Sequence, residues 1–439
     1  MRPGPRLALT LLILLGGLST GVRSETPIPW PDRNGPLETG EALPEESAGV
    51  PTHWNVSTGE NISWVTPLEG LGHSTPVVGN GRVWVTSATE DGTQQWIVCL
   101  DEQSGEIIEQ KLLFENAEPE PLGNAINSYA SPTCVLTEDA VFVHFGSYGT
   151  VRLDPESREV VWERRDLKCR HFRGPGSSPL LFEDLLILTF DGIDQQYLVA
   201  LDTESGETVW KTERTTNYHD LDENGLPRAD GDYRKAYSTP GVTMVGDVPQ
   251  LVSVGSRAAF AYNARTGEEI WTITHDDYNA AAPPLFVNGH VLLNTGANRA
   301  DFLSVRLDET ATGNVDESHV VWRRTSGNSD LCSPVLTEGR VYLITNNGIA
   351  ICIDPATGEE IWKSRIGGSF VSSPIVVNGL IYVTDDNGKT TIFRAGDEYE
   401  EVSTNTFPEG MRSSPSVANG ALLMRTRSNL YRISETTEE

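Results

Sequence analysis

The sequence has no pair of adjacent cysteines, and its cysteines follow no regular spacing. There are five of them: Cys99, Cys134, Cys169, Cys332 and Cys352. An odd count at irregular spacing argues against a disulfide framework. The sequence also has neither a Cys-x-x-Cys-His haem motif nor zinc-type Cys/His spacing. We therefore expect these side chains to be small hydrophobic members of the core.

Positive charge is also scarce, because 33 Lys and Arg residues face 62 Asp and Glu residues and leave a formal net charge of −29. A surface with this balance repels phosphate backbones and anionic lipid headgroups. Nucleic acid and anionic membrane surfaces are therefore excluded as partners of the outer face. The acidity favours solubility and carries no information about the fold.

Long hydrophobic runs are absent beyond the first 24 residues. There, Arg2 and Arg6 precede the apolar stretch LALTLLILLGGL. Val22 and Ser24 then provide small residues at the two positions that signal peptidase recognises. This pattern predicts a signal peptide over residues 1–24 and export to the periplasm or the extracellular space; an uncleaved membrane anchor is the alternative. No cysteine follows the run, so a lipoprotein is not expected. No transmembrane segment is predicted in the mature chain.

Motifs of common enzymes are missing as well. The sequence has no Gly-x-Ser-x-Gly elbow, no His-Glu-x-x-His zinc motif, no phosphate-binding loop and no Rossmann fingerprint. Asp276 and Asp277 are adjacent carboxylates, but neighbouring residues of a strand face opposite sides. No catalytic residue is therefore predicted.

Internal repetition is the strongest positive signal. Each unit opens with Ser-Pro or Ser-x-Pro and continues through apolar strands joined by Asn-Gly or acidic turns. It ends in Leu-Asp or Ile-Asp followed by Ser/Thr-Gly-Glu-x-x-Trp, as in the stretch from Ser333 to Ser364. Units spaced by about 40 to 60 residues are typical of propeller blades. The opening prolines are Pro76, Pro132, Pro179, Pro240, Pro284, Pro334, Pro374 and Pro415.

The two ends of the chain complement each other. The last unit stops after its third strand, and residues 57–64 supply an isolated fourth-strand motif, STGENISW. Joining them leaves no free sheet edge, which predicts an all-β, single eight-bladed β-propeller of four-stranded blades closed by the N-terminal strand. An open solenoid or two separate halves are the alternatives. The predicted boundaries are a Pro/Glu-rich lead-in over 25–56, the propeller over 57–434 and a tail over 435–439.

The repeat resembles that of pyrroloquinoline-quinone-type (PQQ-type) propellers over nearly the whole mature chain. Two groups share it, namely the quinoprotein alcohol dehydrogenases and the non-catalytic propeller of the outer-membrane β-barrel assembly machine. The stretches FDGIDQQYLVALD and DYRKAYSTP also resemble secreted bacterial propellers. The resemblance implies that the repeat tryptophan docks between neighbouring blades. The residues at that position are Trp64, Trp162, Trp210, Trp271, Trp322 and Trp362.

The cofactor of the dehydrogenases is not expected in this chain. The resemblance implies a PQQ held under a disulfide between adjacent cysteines, over a tryptophan on the ring axis and beside a calcium ion. This sequence has no Cys-Cys pair, no tryptophan at the start of its inner strands and no haem segment. Because the same fold serves unrelated functions, the repeat identifies architecture and not chemistry.

A binding site is predicted at one mouth of the channel. In a propeller, the segment that leads into each innermost strand faces the channel, and here these segments are rich in Arg, Lys, His and Tyr. Such a mouth on an acidic body attracts anions, and Arg suits carboxylate or sulfate groups. The alternative is that these groups satisfy backbone carbonyls and nearby Asp residues. The predicted ligand-binding residues are His73, Tyr129, His171, Arg173, Arg234, Lys235, Tyr237 and Arg412.

One calcium site is predicted in the insertion DLDENGLPRADGD, which precedes the fourth unit. Its first half matches a calcium loop, but Gly231 stands where the bidentate glutamate belongs. A solvated acidic loop is the alternative. The candidate ligands are Asp220, Asp222, Asn224 and Asp230.

These features predict an exported, monomeric binding or scaffold propeller without catalytic activity, which holds a protein or an anionic glycan at a channel mouth. Two alternatives remain open. One is a quinoprotein-like oxidoreductase or a sugar-acting enzyme that uses the polar mouth. The other is a cell-envelope assembly factor that pairs with extended peptides.

Overall fold

The structure is a computed structural model that describes residues 27–123, 126–296 and 300–435. The predicted signal peptide and all but the first residue of the predicted tail lie outside these residues. The described residues form strands and only two short 3-10 turns, Gly146–Tyr148 and Arg228–Arg234. None of the helices in this part is long and apolar enough to cross a membrane.

The strands of the described residues follow one another with short connections. In chain order they are β1 Ile62–Pro67, β2 Val77–Gly79, β3 Arg82–Ala88, β4 Gln94–Asp101, β5 Ile107–Glu115, β6 Val135–Leu136, β7 Val141–His144, β8 Thr150–Leu153, β9 Val160–Arg164, β10 Leu180–Phe182, β11 Leu185–Asp191, β12 Gln196–Asp202, β13 Thr208–Glu213, β14 Gly241–Val245, β15 Val248–Val254, β16 Ala258–Asn263, β17 Glu269–Thr274, β18 Leu285–Val287, β19 His290–Asn294, β20 Phe302–Arg306, β21 Gly313–Asn314, β22 Val320–Arg324, β23 Val335–Thr337, β24 Arg340–Ile344, β25 Ile349–Ile353, β26 Glu360–Arg365, β27 Ile375–Val377, β28 Leu380–Thr384, β29 Lys389–Arg394, β30 Glu400–Thr406, β31 Ser416–Ala418, β32 Ala421–Arg425 and β33 Asn429–Ser434.

These strands build eight antiparallel sheets, the blades of a propeller, within the described residues. Blade 1 is β2–β5, and blades 2, 3 and 4 are β6–β9, β10–β13 and β14–β17. Blade 5 is β18, β19, β20 and β22, followed by blade 6 (β23–β26) and blade 7 (β27–β30). Blade 8 is β31, β32, β33 and β1, each blade being given from its innermost to its outermost strand. The all-β, eight-bladed prediction is confirmed.

The ring closes through its two chain ends, as predicted. Strand β1 pairs antiparallel with β33, and Trp64 lies opposite Arg432. The Ser63 and Ser434 hydroxyl oxygens are 2.5 Å apart. Closure pairs one edge of β33, whose backbone groups would otherwise lack partners.

Turn chemistry and burial follow from the repeat. The Asn-Gly turn between β2 and β3 has positive φ at both residues, 54° at Asn80 and 71° at Gly81, which a type I′ hairpin requires. Second and third strands, such as β24, are buried on both faces, whereas the outermost strand β26 alternates between exposed and half-buried residues. This is the pattern of small sheets stacked face to face in a ring.

The glycine of Ser/Thr-Gly-Glu and the repeat tryptophan form one joint between neighbouring blades. A Cβ atom on Gly105 of blade 1 would lie 2.5 Å from the ring of Trp64 in blade 8, so only glycine leaves room for the indole. The same close approach joins Gly206 to Trp162. In five of the six tryptophans the indole Nε1 donates to a carbonyl of the following blade, at 2.9 or 3.0 Å: Trp64 to Glu102, Trp162 to Thr203, Trp210 to Ala264, Trp322 to Pro355 and Trp362 to Gly396.

Trp271 differs because blade 5 carries an insertion where that joint would form. Its Nε1 donates to Gln250 Oε1 of its own blade at 2.9 Å. The insertion covers the Trp271 ring and adds β21 in parallel to β17 as a fifth strand of blade 4.

Between blades 1 and 2 both partners of the joint, the tryptophan and the glycine, are replaced together. There Arg158 Nε donates to Glu109 Oε2 at 2.7 Å.

The Ser-Pro openings tie neighbouring innermost strands together. The N–H of one blade's residue donates to the hydroxyl of the corresponding residue in the next blade. These bonds run from Thr75 to Thr133, Thr133 to Ser178, Ser178 to Thr239, Ser333 to Ser373 and Ser373 to Ser414, at 2.9 to 3.1 Å. Blade 5 interrupts this belt with Pro283 and Pro284, and Pro283 has no N–H to donate.

The lead-in lies against one mouth of the channel. We call the end where the chain enters each innermost strand the front mouth, and the opposite end the rear mouth. Trp30 exchanges two backbone hydrogen bonds with Val78 of blade 1, and Ala42 N donates to Val376 O of blade 7. Trp30 is fully buried, and residues 30–40 share a small enclosed cavity with the inner strands of blades 5 to 7. The lead-in occupies the rear mouth, because it also accepts hydrogen bonds from Asn378 and Gly420 in the rear turns of blades 7 and 8.

The five cysteines are all buried and unpaired, as the sequence analysis expects. Burial raises the pKa of Cys134 to about 12, so its thiol stays protonated near neutral pH.

Candidate functional site

The front mouth brings together the connections in which the predicted binding residues stand. On the side of blades 3 and 4, the cations lie against carboxylates. Arg173 Nε and Nη2 donate to Asp232 at 3.1 and 2.7 Å, and Arg234 donates in the same forked manner to Asp220, at 2.8 Å twice. Each of these two arginines therefore has a carboxylate partner within the protein.

Lys235 and Tyr237 lie deeper on the same side. The Lys235 ammonium is fully buried, 2.6 Å from Asp232 Oδ1, and donates to the Tyr237 hydroxyl at 2.8 Å. Burial lowers the pKa of Lys235 to about 8, although Asp232 opposes that shift. These residues form a closed network and not an open anion receptor.

The two predicted histidines are neutral near pH 7. Burial lowers the pKa of His73 to about 3, and the nearby Arg412 and Arg425 add to the effect. Burial likewise lowers the pKa of His171 to about 4, and its Nε2 accepts a hydrogen bond from Ser147 N at 3.0 Å. Neither imidazole therefore adds positive charge to the mouth.

Two of the four predicted calcium ligands, Asp220 and Asp222, accept hydrogen bonds from protein donors. The Asp220 carboxylate accepts both hydrogen bonds of Arg234, and Asp222 Oδ1 accepts the N–H groups of Asn224 and Leu226 at 2.8 and 2.9 Å. Asp230 stands in a tight turn with positive φ. Across residues 27–123, 126–296 and 300–435, no group of three or more His, Cys, Asp or Glu residues is placed to hold a metal ion.

An open pocket of about 540 Å³ lies on the other side of the front mouth, between blades 8, 1 and 2. The predicted residues His73, Tyr129 and Arg412 line it. The Tyr129 hydroxyl donates to Glu120 O at 2.9 Å, which fixes its ring in the wall. The charged side chains of its lining are Glu90, Asp386, Arg412, Arg425 and Arg427.

Arg425, which the sequence analysis missed, is the feature that sets this pocket apart. This residue is only 1% exposed. Nη1 donates to Ser74 Oγ at 3.0 Å and to Thr86 O at 2.6 Å, whereas Nε and Nη2 have no hydrogen-bond partner among the described residues. Gly72 makes room for the guanidinium, because a Cβ atom there would lie 2.5 Å from Nη2.

The position of Arg425 in its strand is the signal that could have revealed it. It is the fifth residue of the second strand of blade 8. The fifth residue of the corresponding strand is uncharged in blades 1, 3, 5, 6 and 7, where it is Thr86, Thr189, Asn294, Ile344 and Thr384. A charged residue at a buried repeat position indicates a specific role, because an unpaired buried charge is costly.

A second pocket at the front mouth, of about 860 Å³, lies between blades 4 and 5 and is acidic. Asp276 and Asp277 line it together with Asp301 and Asp316. Arg323 Nη1 donates to Asp301 Oδ2 at 2.7 Å and offsets part of this charge. The two pockets therefore differ in the sign of their charge.

The sequence model of one family, described as the outer membrane protein assembly factor BamB, matches residues 51–233 and 194–437. The chain belongs to the BamB family. The match covers all eight blades and supports the PQQ-type repeat seen in the sequence.

Individual relatives of this BamB-family chain are distant. The uncharacterized protein RC0314 of Rickettsia conorii is 26% identical over 199 residues, which are 45% of this chain and 41% of that protein. The chain thus matches about two fifths of the length of this curated relative.

Solved structures share the fold of this BamB-family chain. BamB from Moraxella catarrhalis has a TM-score of 0.55 at 13% identity, covering 85% of this chain and 99% of that one. The quinohemoprotein alcohol dehydrogenase of Comamonas testosteroni has a TM-score of 0.66 at 12% identity, covering 94% and 81%. At these identities the likeness shows the propeller fold alone.

The PQQ site that the dehydrogenase resemblance implies includes a disulfide between adjacent cysteines, and no two cysteines are adjacent in the sequence of this BamB-family chain. The buried, unpaired Arg425 edge fits an anion with hydrogen-bond acceptors instead.

Proposed function

We propose that this chain is an exported, non-catalytic scaffold propeller that binds a partner protein at its front mouth. A single observation carries the proposal. The lead-in occupies the rear mouth, whereas the front mouth keeps an open pocket whose buried Arg425 has no carboxylate partner. The partner supplies the missing negative charge.

The family supports a role in the cell envelope, because the matching model is described as an outer membrane protein assembly factor. We place the mature chain in the periplasm or outside the cell, with the signal peptide over residues 1–24 removed and the propeller acting as a monomer. The partner is a protein and not an anionic glycan, since the family description names protein assembly.

Site-specific photo-crosslinking in the native host tests this proposal. A photoreactive residue replaces Glu90, whose exposed side chain lines the front pocket, in the full-length chain. The matched control replaces Asp139, an exposed acid in the turn between β6 and β7 on the rear face. We expect the Glu90 variant to give an adduct that mass spectrometry identifies as an outer-membrane assembly protein.

Two results contradict the proposal. Adducts that form only from position 139 would place the partner on the rear face. Binding of uronate or sulfated glycans by the purified protein, with no protein adduct from either position, would replace the protein partner by a polysaccharide.

A further inference from the structure

The guanidinium of Arg425 leaves one particular edge unused. An arginine presents its Nε–H and one Nη2–H side by side, and this pair matches the two oxygens of a carboxylate. In Arg425 these are the two nitrogens without a partner among the described residues, whereas Nη1 on the other side is bonded to Ser74 and Thr86.

The same chain shows what this edge binds elsewhere. Other arginines at the front ends of the blades use Nε and Nη2 together, and each of the following three holds one aspartate. The pairs are Arg173 with Asp232, Arg214 with Asp191, and Arg234 with Asp220. Arg425 has the same free edge and no aspartate or glutamate within hydrogen-bond distance among the described residues.

The balance of charge in the pocket agrees with a missing anion. Its lining carries the guanidinium groups of Arg412, Arg425 and Arg427 and the carboxylates of Glu90 and Asp386. Arg427 Nη2 lies 3.4 Å from Glu90 Oε1. With His73 neutral, the lining carries one more positive than negative charge, and Arg425 is the most deeply buried of its arginines.

We propose that Arg425 is the anchor of a carboxylate-binding site, in which its Nε and Nη2 hold the side-chain carboxylate of a glutamate or aspartate from the partner. The inference deepens the proposed function, on which the protein origin of the carboxylate rests. Both nitrogens are closed off from bulk water, so binding includes a rotation of the Arg425 side chain toward the pocket. Arg412, on the pocket wall, adds attraction for the same group.

Titration calorimetry with two capped peptides tests the site. The ligands are acetyl-Ala-Glu-Ala-amide and the matched uncharged peptide acetyl-Ala-Gln-Ala-amide. Each is titrated into the full-length mature protein at fixed ionic strength. We expect the wild type to prefer the glutamate peptide by about tenfold, as a charge-assisted forked bond implies. Sodium acetate in a third titration shows whether a free carboxylate competes, which separates small-molecule from peptide sources.

Three variants assign the preference to Arg425. R425Q is expected to lose it, and R425K to weaken glutamate binding by about three- to tenfold, because lysine keeps the charge but not the fork. R265Q is the matched control, since it removes a similarly exposed guanidinium that lies outside this pocket. It is expected to change the preference by no more than about twofold, because solvent screens that charge.

The inference is overturned if the wild type does not distinguish the two peptides, or if folded R425Q still does. Circular dichroism and thermal melting check that each variant is folded, and R425K carries the test if R425Q is not. If the partner-protein adduct formed from position 90 persists in R425Q, the proposed function stands, but Arg425 is rejected as the anchor of the partner.

Discussion

Two buried arginines at the front ends of blades 3 and 8 differ in whether a carboxylate is paired with them. At blade 3, the Arg214 guanidinium and the Asp191 carboxylate are both fully buried and joined by two hydrogen bonds of 2.6 and 2.7 Å. At blade 8, Arg425 is equally buried and no carboxylate reaches it among the described residues. Both arginines stand at the front end of a blade, so the difference lies in their partners and not in their depth.

This contrast shows why counting charged residues does not locate a binding site. The connection between blades 3 and 4 is rich in cations, and the structure places aspartates from the same insertion against them. The pocket beside blade 8 has fewer cations, but one of them is not neutralised. A charge becomes available to a ligand only where the fold leaves it without an internal partner.

The largest expected effect comes from breaking the buried pair. In R214M the Asp191 carboxylate stays buried without its partner, so we expect the free energy of unfolding to fall by about 3 to 5 kcal/mol. Urea denaturation followed by tryptophan fluorescence measures this. R340M is the control, because the Asp397 partner of Arg340 is largely exposed and such pairs contribute below about 1 kcal/mol. Equal losses in the two variants would contradict the contrast.

A smaller effect is expected from pH. The pKa of Lys235 is lowered to about 8 in the folded protein, from 10.5 for a free lysine, mainly by burial. The unfolded chain therefore binds more protons between these two values, and the free energy of unfolding rises with pH across that window. Between pH 8 and 10 we expect a gain of about 2 kcal/mol in the wild type relative to K235M, measured by urea denaturation. A difference that is flat with pH would reject the shifted pKa.

The smallest effect is expected at Arg425 itself. R425M removes the hydrogen bonds to Ser74 and Thr86 but leaves no carboxylate unpaired. We expect a loss of only about 1 to 2 kcal/mol, less than in R214M, in the same denaturation experiment. A loss as large as that of R214M would mean that Arg425 serves stability and would sharpen the search for an internal partner.

Much of the fold could be predicted because each blade is specified by a short sequence motif that recurs along the chain. The orphan motif ending at Trp64 predicted the pairing of β1 with β33, since each unpaired edge needs a partner. The structure adds that the glycine and the tryptophan of the repeat meet at one joint between blades, because only glycine allows the indole so close. The ion pair between Glu109 and Arg158, which replaces this joint between blades 1 and 2, was not predicted.

The ion pairs of the front mouth could not be predicted from the sequence. The sequence analysis grouped Arg173, Arg234 and Lys235 with Arg412 because all four precede a Ser-Pro or Thr-Pro opening. It could not tell that Asp220 and Asp232 fold back onto the first three, since those contacts depend on the path of an irregular insertion. Arg425 was overlooked because it ends an apolar strand and lies outside the connecting segments.

The sequence by itself determined the number of blades, their internal hairpins and the closure of the ring, because these depend on short-range turn chemistry and on repeated positions. Only the tertiary structure decided which charges are neutralised and which mouth stays open. Ion pairing in the interior depends on ångström distances between groups from different blades, and the energy of a buried charge changes steeply with those distances. The roles of the lead-in and of Arg425 therefore depend on the residues that the closed ring places next to them.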